Sequence, residues 1–113
     1  MARRWKFYVY ILASDSGTIY IGFTNDLVGR VNEHRASEES ASFTNRYKVY
    51  KLVYWERHRY VYSAIAREKQ LKGWRREKKR ALVEKHNPQW LDLYPNAVLA
   101  ALDDVGVGEY WQE

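Results

Sequence analysis

Three stretches of the chain are dense in aromatic and branched residues, and each is short enough to form a strand. Phe7-Tyr8-Val9-Tyr10-Ile11-Leu12-Ala13 has no charged interruption, as a largely buried strand would have. Ser14-Asp15-Ser16-Gly17 supplies turn chemistry, and Thr18-Ile19-Tyr20-Ile21-Gly22-Phe23-Thr24 reads as the return strand of a hairpin. A third strand is expected over residues 49–56.

Helical periodicity fills most of the remainder. Leu27, Val28 and Val31 mark the apolar side of a helix ending near Arg35, with Thr24 or Asn25 as its cap and Asp26 in its first turn. Gly29 inside that helix costs roughly 1 kcal/mol relative to alanine, which implies close approach by a neighbouring group. Residues 36–48 are polar and read as a loop. Residues 63–85 have helical composition and are expected to form two helices broken near Gly73-Trp74, with Pro88 ending the region. A short helix is expected over 97–103, and Gly106-Val107-Gly108 opens a loose terminus. The order β-β-α-β-α-α predicts an α+β fold, a small three-stranded antiparallel sheet flanked by helices.

A chain of 113 residues holds one domain, here expected over 1–90, with an acidic extension over 91–113 that is partly helical or flexible. The absence of cysteine excludes disulfides and thiolate metal sites, so any metal must be held by oxygen or imidazole. Oxygen ligands favour magnesium or manganese. No run of eighteen apolar residues exists, and Met1-Ala2-Arg3-Arg4-Trp5 leads into no signal-peptide core. These features predict a cytoplasmic protein with no membrane association. Monomer is the default state.

Charge is unevenly spread. Residues 1–86 carry nineteen basic against nine acidic side chains, a balance of +10, while the remainder carries five acids and no Lys or Arg. So basic a body suits a polyanion, because each neutralised phosphate releases counterions. On charge alone, a merely soluble basic protein is an equal reading.

Several residues are not what packing alone would select. Ala64, Ile65 and Leu71 share a helix face, and Glu68 falls on that inward stripe. A carboxylate there requires a cationic partner or a metal, and an ion pair with a nearby Lys or Arg is the simpler account. Arg30 and His34, four apart, share a face on which a phosphate can be gripped, although an exposed polar face with an ordinary histidine fits equally. Tyr10 and Tyr20 can approach each other across the hairpin, where tyrosines are usually packing residues. A phenol with a pKa of about 10 is a poor base unless cations lower it. Lys69, Lys72, Arg75, Arg76 and Lys79 surround Trp74, expected in the core, and are candidate contacts to nucleic-acid backbone.

The order of these residues carries more than any one of them. Tyr8-Val9-Tyr10, Tyr20-Ile21-Gly22, Arg30 with His34, and then Glu68 resemble the GIY-YIG nuclease superfamily. Tyr8-Val9-Tyr10-Ile11-Leu12, Thr24-Asn25-Asp26-Leu27 and Arg67-Glu68-Lys69-Gln70-Leu71-Lys72-Gly73-Trp74 are similar to its small standalone bacterial branch, related to the nuclease domain of an excision-repair endonuclease subunit. The resemblance covers residues 5–90. It implies Tyr10 as general base, Tyr20 positioning the water, and Gly22 admitting close backbone packing. It also implies Arg30 on the scissile phosphate, Glu68 as sole protein ligand of one Mg2+ or Mn2+ ion, and supporting roles for His34 and Asn87. Tyr8 stands where the name-giving motif begins with glycine, a departure bearing on substrate fit.

The implied activity is metal-dependent endonucleolytic hydrolysis of DNA in repair or processing. Without an appended DNA-binding domain, recognition should rest on backbone and shape. The alternatives are a nucleic-acid-binding module without turnover and an interaction protein whose acidic extension shields its basic face or docks a protein partner.

Overall fold

The computed structural model of the protein describes residues 6–36 and 49–102. Among them are strands β1 (Phe7–Ala13), β2 (Ile19–Thr24) and β3 (Lys51–His58), and helices α1 (Leu27–Ala36), α2 (Val61–Gly73), α3 (Arg76–His86) and α4 (Tyr94–Leu102). This is the expected α+β order with one further helix. Strand β3 ends two residues beyond the expected limit, and α4 begins three residues before it. The expected loop over 37–48 and the terminus from residue 103, Gly106 to Gly108 included, lie outside the described residues.

The sheet is antiparallel throughout, in the order β2-β1-β3. Its middle strand is the most apolar one, because β1 is covered on both faces: Val9 through Ala13 are wholly buried. Val9, Ile11 and Ile21 point toward Ala64 and Leu71 of α2 and Val83 of α3. Tyr10 and Leu12 point the other way, toward Leu27 and Val31 of α1 and Ala97 of α4. Helices thus cover both faces. A shift of register between Ile11 and Leu12 marks a bulge in the β1–β3 pairing.

Asp26, rather than Thr24 or Asn25, caps α1: its Oδ1 accepts the Gly29 N–H at 3.1 Å. The same carboxylate is the close neighbour that Gly29 admits, since a Cβ there would overlap it. Ser14 fastens the hairpin turn, accepting the Thr18 N–H on Oγ at 3.0 Å.

The described part of the expected extension, residues 91–102, packs against the preceding elements. Leu93 N–H donates to the Leu52 carbonyl of β3 at 2.6 Å, and α4 packs Ala97 into the core beneath α1. No described helix is long and apolar enough to cross a membrane.

Candidate active site

Strand pairing sets Tyr10 opposite Gly22, and Leu12 opposite Tyr20. A Cβ at position 22 would overlap the Tyr10 ring at Cζ and the hydroxyl, so glycine makes room for a tyrosine rather than for a ligand. With its ring laid across β2, Tyr10 reaches α1 and shares a hydrogen bond with His34 Nε2 at 3.2 Å. Tyr20 meets the edge of the same imidazole, with ring centroids 5.2 Å apart, and lies 6.3 Å from the Tyr10 ring. Arg30, one helical turn before His34, keeps 43% of its side chain exposed and pairs with Glu33 at 3.2 Å. Three elements thus bring Tyr10, Tyr20, Arg30 and His34 onto one face of the sheet.

Electrostatics redistribute the expected roles. Burial pushes the Tyr10 phenol well above its ordinary range, and the neighbouring Tyr20 adds to the effect; Arg30 pulls it down without overcoming either. The ionised form of Tyr10 is therefore scarcer at neutral pH than that of a surface tyrosine. Burial first, and then Arg30, hold His34 below the ordinary imidazole value, with Glu33 opposing them. At neutral pH the imidazole is uncharged. It is the stronger base of the pair, not the ordinary surface histidine that the sequence left open.

The other two implied site residues belong to α2 and to the end of α3. Glu68 projects from α2, which packs on the sheet face opposite α1. Its carboxylate pairs with Lys72 at 3.1 Å, with side chains 20% and 55% exposed respectively, so the simpler of the two sequence readings describes its surroundings. Asn87 has its amide committed to backbone groups. It is buried at the end of α3, where Nδ2 donates to the carbonyls of Val53 and Leu91, and Oδ1 accepts the Leu91 N–H. That amide fastens the α3 end to β3 and is spent on structure.

The basic run is also sorted by the fold. Lys69, Lys72 and Arg75 are exposed, whereas Lys79 is half-buried. Arg76 donates to the Gly17 carbonyl at 2.7 Å and so braces the hairpin turn. Trp74 is half-buried against the core, with Arg67 and Lys78 over its ring at 5.4 and 4.3 Å.

Sequence reasoning missed a polar cluster on the α2 side. Glu56, 2% exposed, accepts from Tyr54 at 2.5 Å on Oε1 and meets His58 at 2.6 Å and Arg67 at 2.9 Å on Oε2. Ser63 Oγ lies 3.1 Å from His58 Nδ1, which gives a serine–histidine–carboxylate order. The Ser63 hydroxyl donates to the Tyr60 carbonyl at 2.9 Å, however, so its proton is not offered to the imidazole. Alternation along β3 placed Glu56 on the same face as Tyr54, and that misfit was the available signal.

A divalent ion bound by oxygen can be tested against these side chains. The described residues contain no group of three potential ligands drawn from His, Cys, Asp and Glu. Glu68, 20% exposed and paired among the described residues with the well-exposed Lys72, fits as a single ligand, with water and phosphate oxygens completing the shell.

Residues 6–81 match the family model described as the GIY-YIG catalytic domain. A UPF0213 protein of Haloquadratum walsbyi is 38% identical over 77 residues, spanning 68% of this chain and 85% of the relative. One from Syntrophus aciditrophicus is 34% identical over 84 residues, spanning 74% and 95%. The solution NMR structure of a UPF0213 protein from Bacillus halodurans aligns with a TM-score of 0.51 at 30% identity, covering 77% of this chain and 92% of that one.

Proposed function

This chain belongs to the GIY-YIG family of nuclease domains, and from that premise we propose that it is a metal-dependent endonuclease cleaving phosphodiester bonds in DNA. The observation that carries the reading is the convergence of Tyr10, Tyr20, Arg30 and His34 on one face of the sheet. Arg30 braces the scissile phosphate and balances its developing charge. The attacking water loses its proton to the Tyr10 oxygen while the Tyr10 proton passes to His34, so that no free buried phenolate accumulates. Tyr20 holds the imidazole edge. Glu68 would hold the ion, whose chemistry is Lewis-acid stabilisation of charge on the phosphate and leaving oxygen. Exposed Lys69, Lys72 and Arg75 track the backbone, which suits structure-directed cleavage in DNA repair or processing, in the cytoplasm.

One observation favours a second reading, a nucleic-acid-binding module without turnover: the Glu68 carboxylate is engaged by Lys72, on the opposite sheet face from Arg30. A single assay separates the two. Branched, single-stranded and duplex DNA are incubated with the protein and Mg2+ or Mn2+, with and without chelator. Cleavage should stop on chelation and fall to near background in Glu68→Ala, which removes the only proposed protein ligand of the ion. Equal cleavage by both proteins would sink the metal role, and salt-sensitive binding with no cleavage would favour the module.

The pH profile provides a further test. Because the His34 pKa is lowered, the rate should be flat through neutrality and decline only below about 6.5, the ordinary imidazole value. Stability follows the same sign. Unfolded His34 binds the proton more readily than folded His34, so its contribution is present above the unfolded pKa and is lost as pH falls through the folded one. An acid limb centred at or above the ordinary histidine value would contradict the assignment.

A further inference from the structure

Helix α1 carries both Arg30 and His34, yet its apolar anchoring is confined to its first half. Leu27 and Val31 are its buried residues, and nothing apolar is buried after them. The second half is held by the segment that follows the matched catalytic domain, which ends at residue 81. Asp92 Oδ1 accepts the N–H groups of Leu52 and Tyr94, each at 3.1 Å, which fixes this carboxylate to β3 and to the start of α4. Its Oδ2 takes the Arg35 guanidinium at 2.5 Å. Arg35 also donates through Nε to the Tyr50 carbonyl at 3.1 Å and lies 4.5 Å over the Tyr94 ring. The Tyr94 hydroxyl donates to Asn32 Oδ1 at 2.8 Å. Asn32 and Arg35 flank His34 along the helix.

We propose that Asp92 and Arg35 are positioning residues: the segment beyond the catalytic domain clamps the C-terminal half of α1 and so places His34 against Tyr10. The consequence for cleavage rests on the nuclease reading, but the placement of His34 does not. A helix with its side chains has a radius of about 5–6 Å, so a rotation of about 20° carries a side-chain tip by roughly 2 Å. That is enough to break the 3.2 Å contact between His34 and Tyr10. The ion pair itself, with side chains 30% and 36% exposed, contributes little to global stability. Its loss should loosen the helix end rather than unfold the domain.

The test uses the full chain with Asp92→Asn, which preserves the acceptor for the two N–H groups, and Arg35→Gln, which leaves Asp92 intact. The imidazole titration of His34 is followed by NMR, its signal identified among the three histidines by its loss in His34→Gln. Among the described residues, the titratable and charged groups facing His34 include Tyr10 from β1, Tyr20 from β2, and Arg30 and Glu33 from its own helix. Neither substitution alters any of them. Both variants should keep the wild-type unfolding midpoint to within a few degrees, while the His34 titration rises toward the ordinary value as the ring becomes hydrated. Turnover should fall about tenfold with KM unchanged. An unmoved His34 titration in the folded variants overturns the clamp, whether or not turnover falls. If Asp92→Asn fails to fold, Arg35→Gln decides. If the wild type cleaves no DNA, the nuclease reading fails and the titration still decides the clamp.

Discussion

Exchange of Arg30 for alanine is expected to lower kcat/KM for DNA cleavage by about 10²- to 10³-fold, the loss seen when one preorganised donor to a developing oxyanion is removed. The guanidinium is 43% exposed and its pairing with Glu33 is a surface contact, so folding should be spared. Arg30→Lys retains the charge but loses the planar fork that meets two phosphate oxygens at once, and should recover only part of the rate. The same substitution to alanine removes the cation that helps hold His34 below its ordinary value, so the imidazole titration should rise in parallel. DNA affinity, supplied by many phosphate contacts, should fall far less than the rate. Wild-type cleavage by Arg30→Ala would eliminate the phosphate-bracing role, and a matched loss of binding and rate would recast Arg30 as an affinity residue.

Glu56→Ala should be the most damaging single change to stability, about 3–5 kcal/mol, because it strands Arg67 and His58 in a half-buried site and leaves the Tyr54 hydroxyl without its acceptor. Their side chains are 17% and 20% exposed, so water replaces the lost carboxylate poorly. Burial pushes the Tyr54 phenol up and Glu56 pushes it further, which keeps it protonated and able to donate. Arg67 is driven up by the same carboxylate although burial opposes its charge. A domain of this size holds roughly 5–15 kcal/mol in total, so much of its stability is at stake. Urea unfolding would show the midpoint falling with an unchanged slope. The double variant Glu56→Ala with Arg67→Ala should lose less than the two single losses added together, since the second truncation removes the stranded charge. Strictly additive losses would mean that the pair is not coupled.

The layout of the chain was legible because it depends on local pattern. The uninterrupted apolar run of β1 announced a strand covered on both sides, and the turn residues after it announced the hairpin. The family resemblance, not local pattern, implied close backbone packing at Gly22, and the neighbour in the fold is the Tyr10 ring. The Glu68–Lys72 pair was also accessible in advance, since residues four apart on a helix must be neighbours. The surroundings of Asn87 were not legible, because a polar residue beside a proline looks alike whether or not it ties a helix end, and only the fold brings the carbonyls of Val53 and Leu91 to its amide.

The sequence by itself determined the β-β-α-β-α-α order and the set of chemically capable side chains, because periodicity and residue type act over a few neighbouring residues. Tertiary structure alone decided which of them act on each other. Burial made Tyr10 a reluctant base, and burial together with the Arg30 charge made His34 a neutral one. Packing of opposite helices put Glu68 and Arg30 on different sheet faces, and Asp92 reached back across 57 positions to hold Arg35. Desolvation and long-range contact depend on what the whole chain assembles around a group, and that environment is not written in the group's own neighbourhood in the sequence.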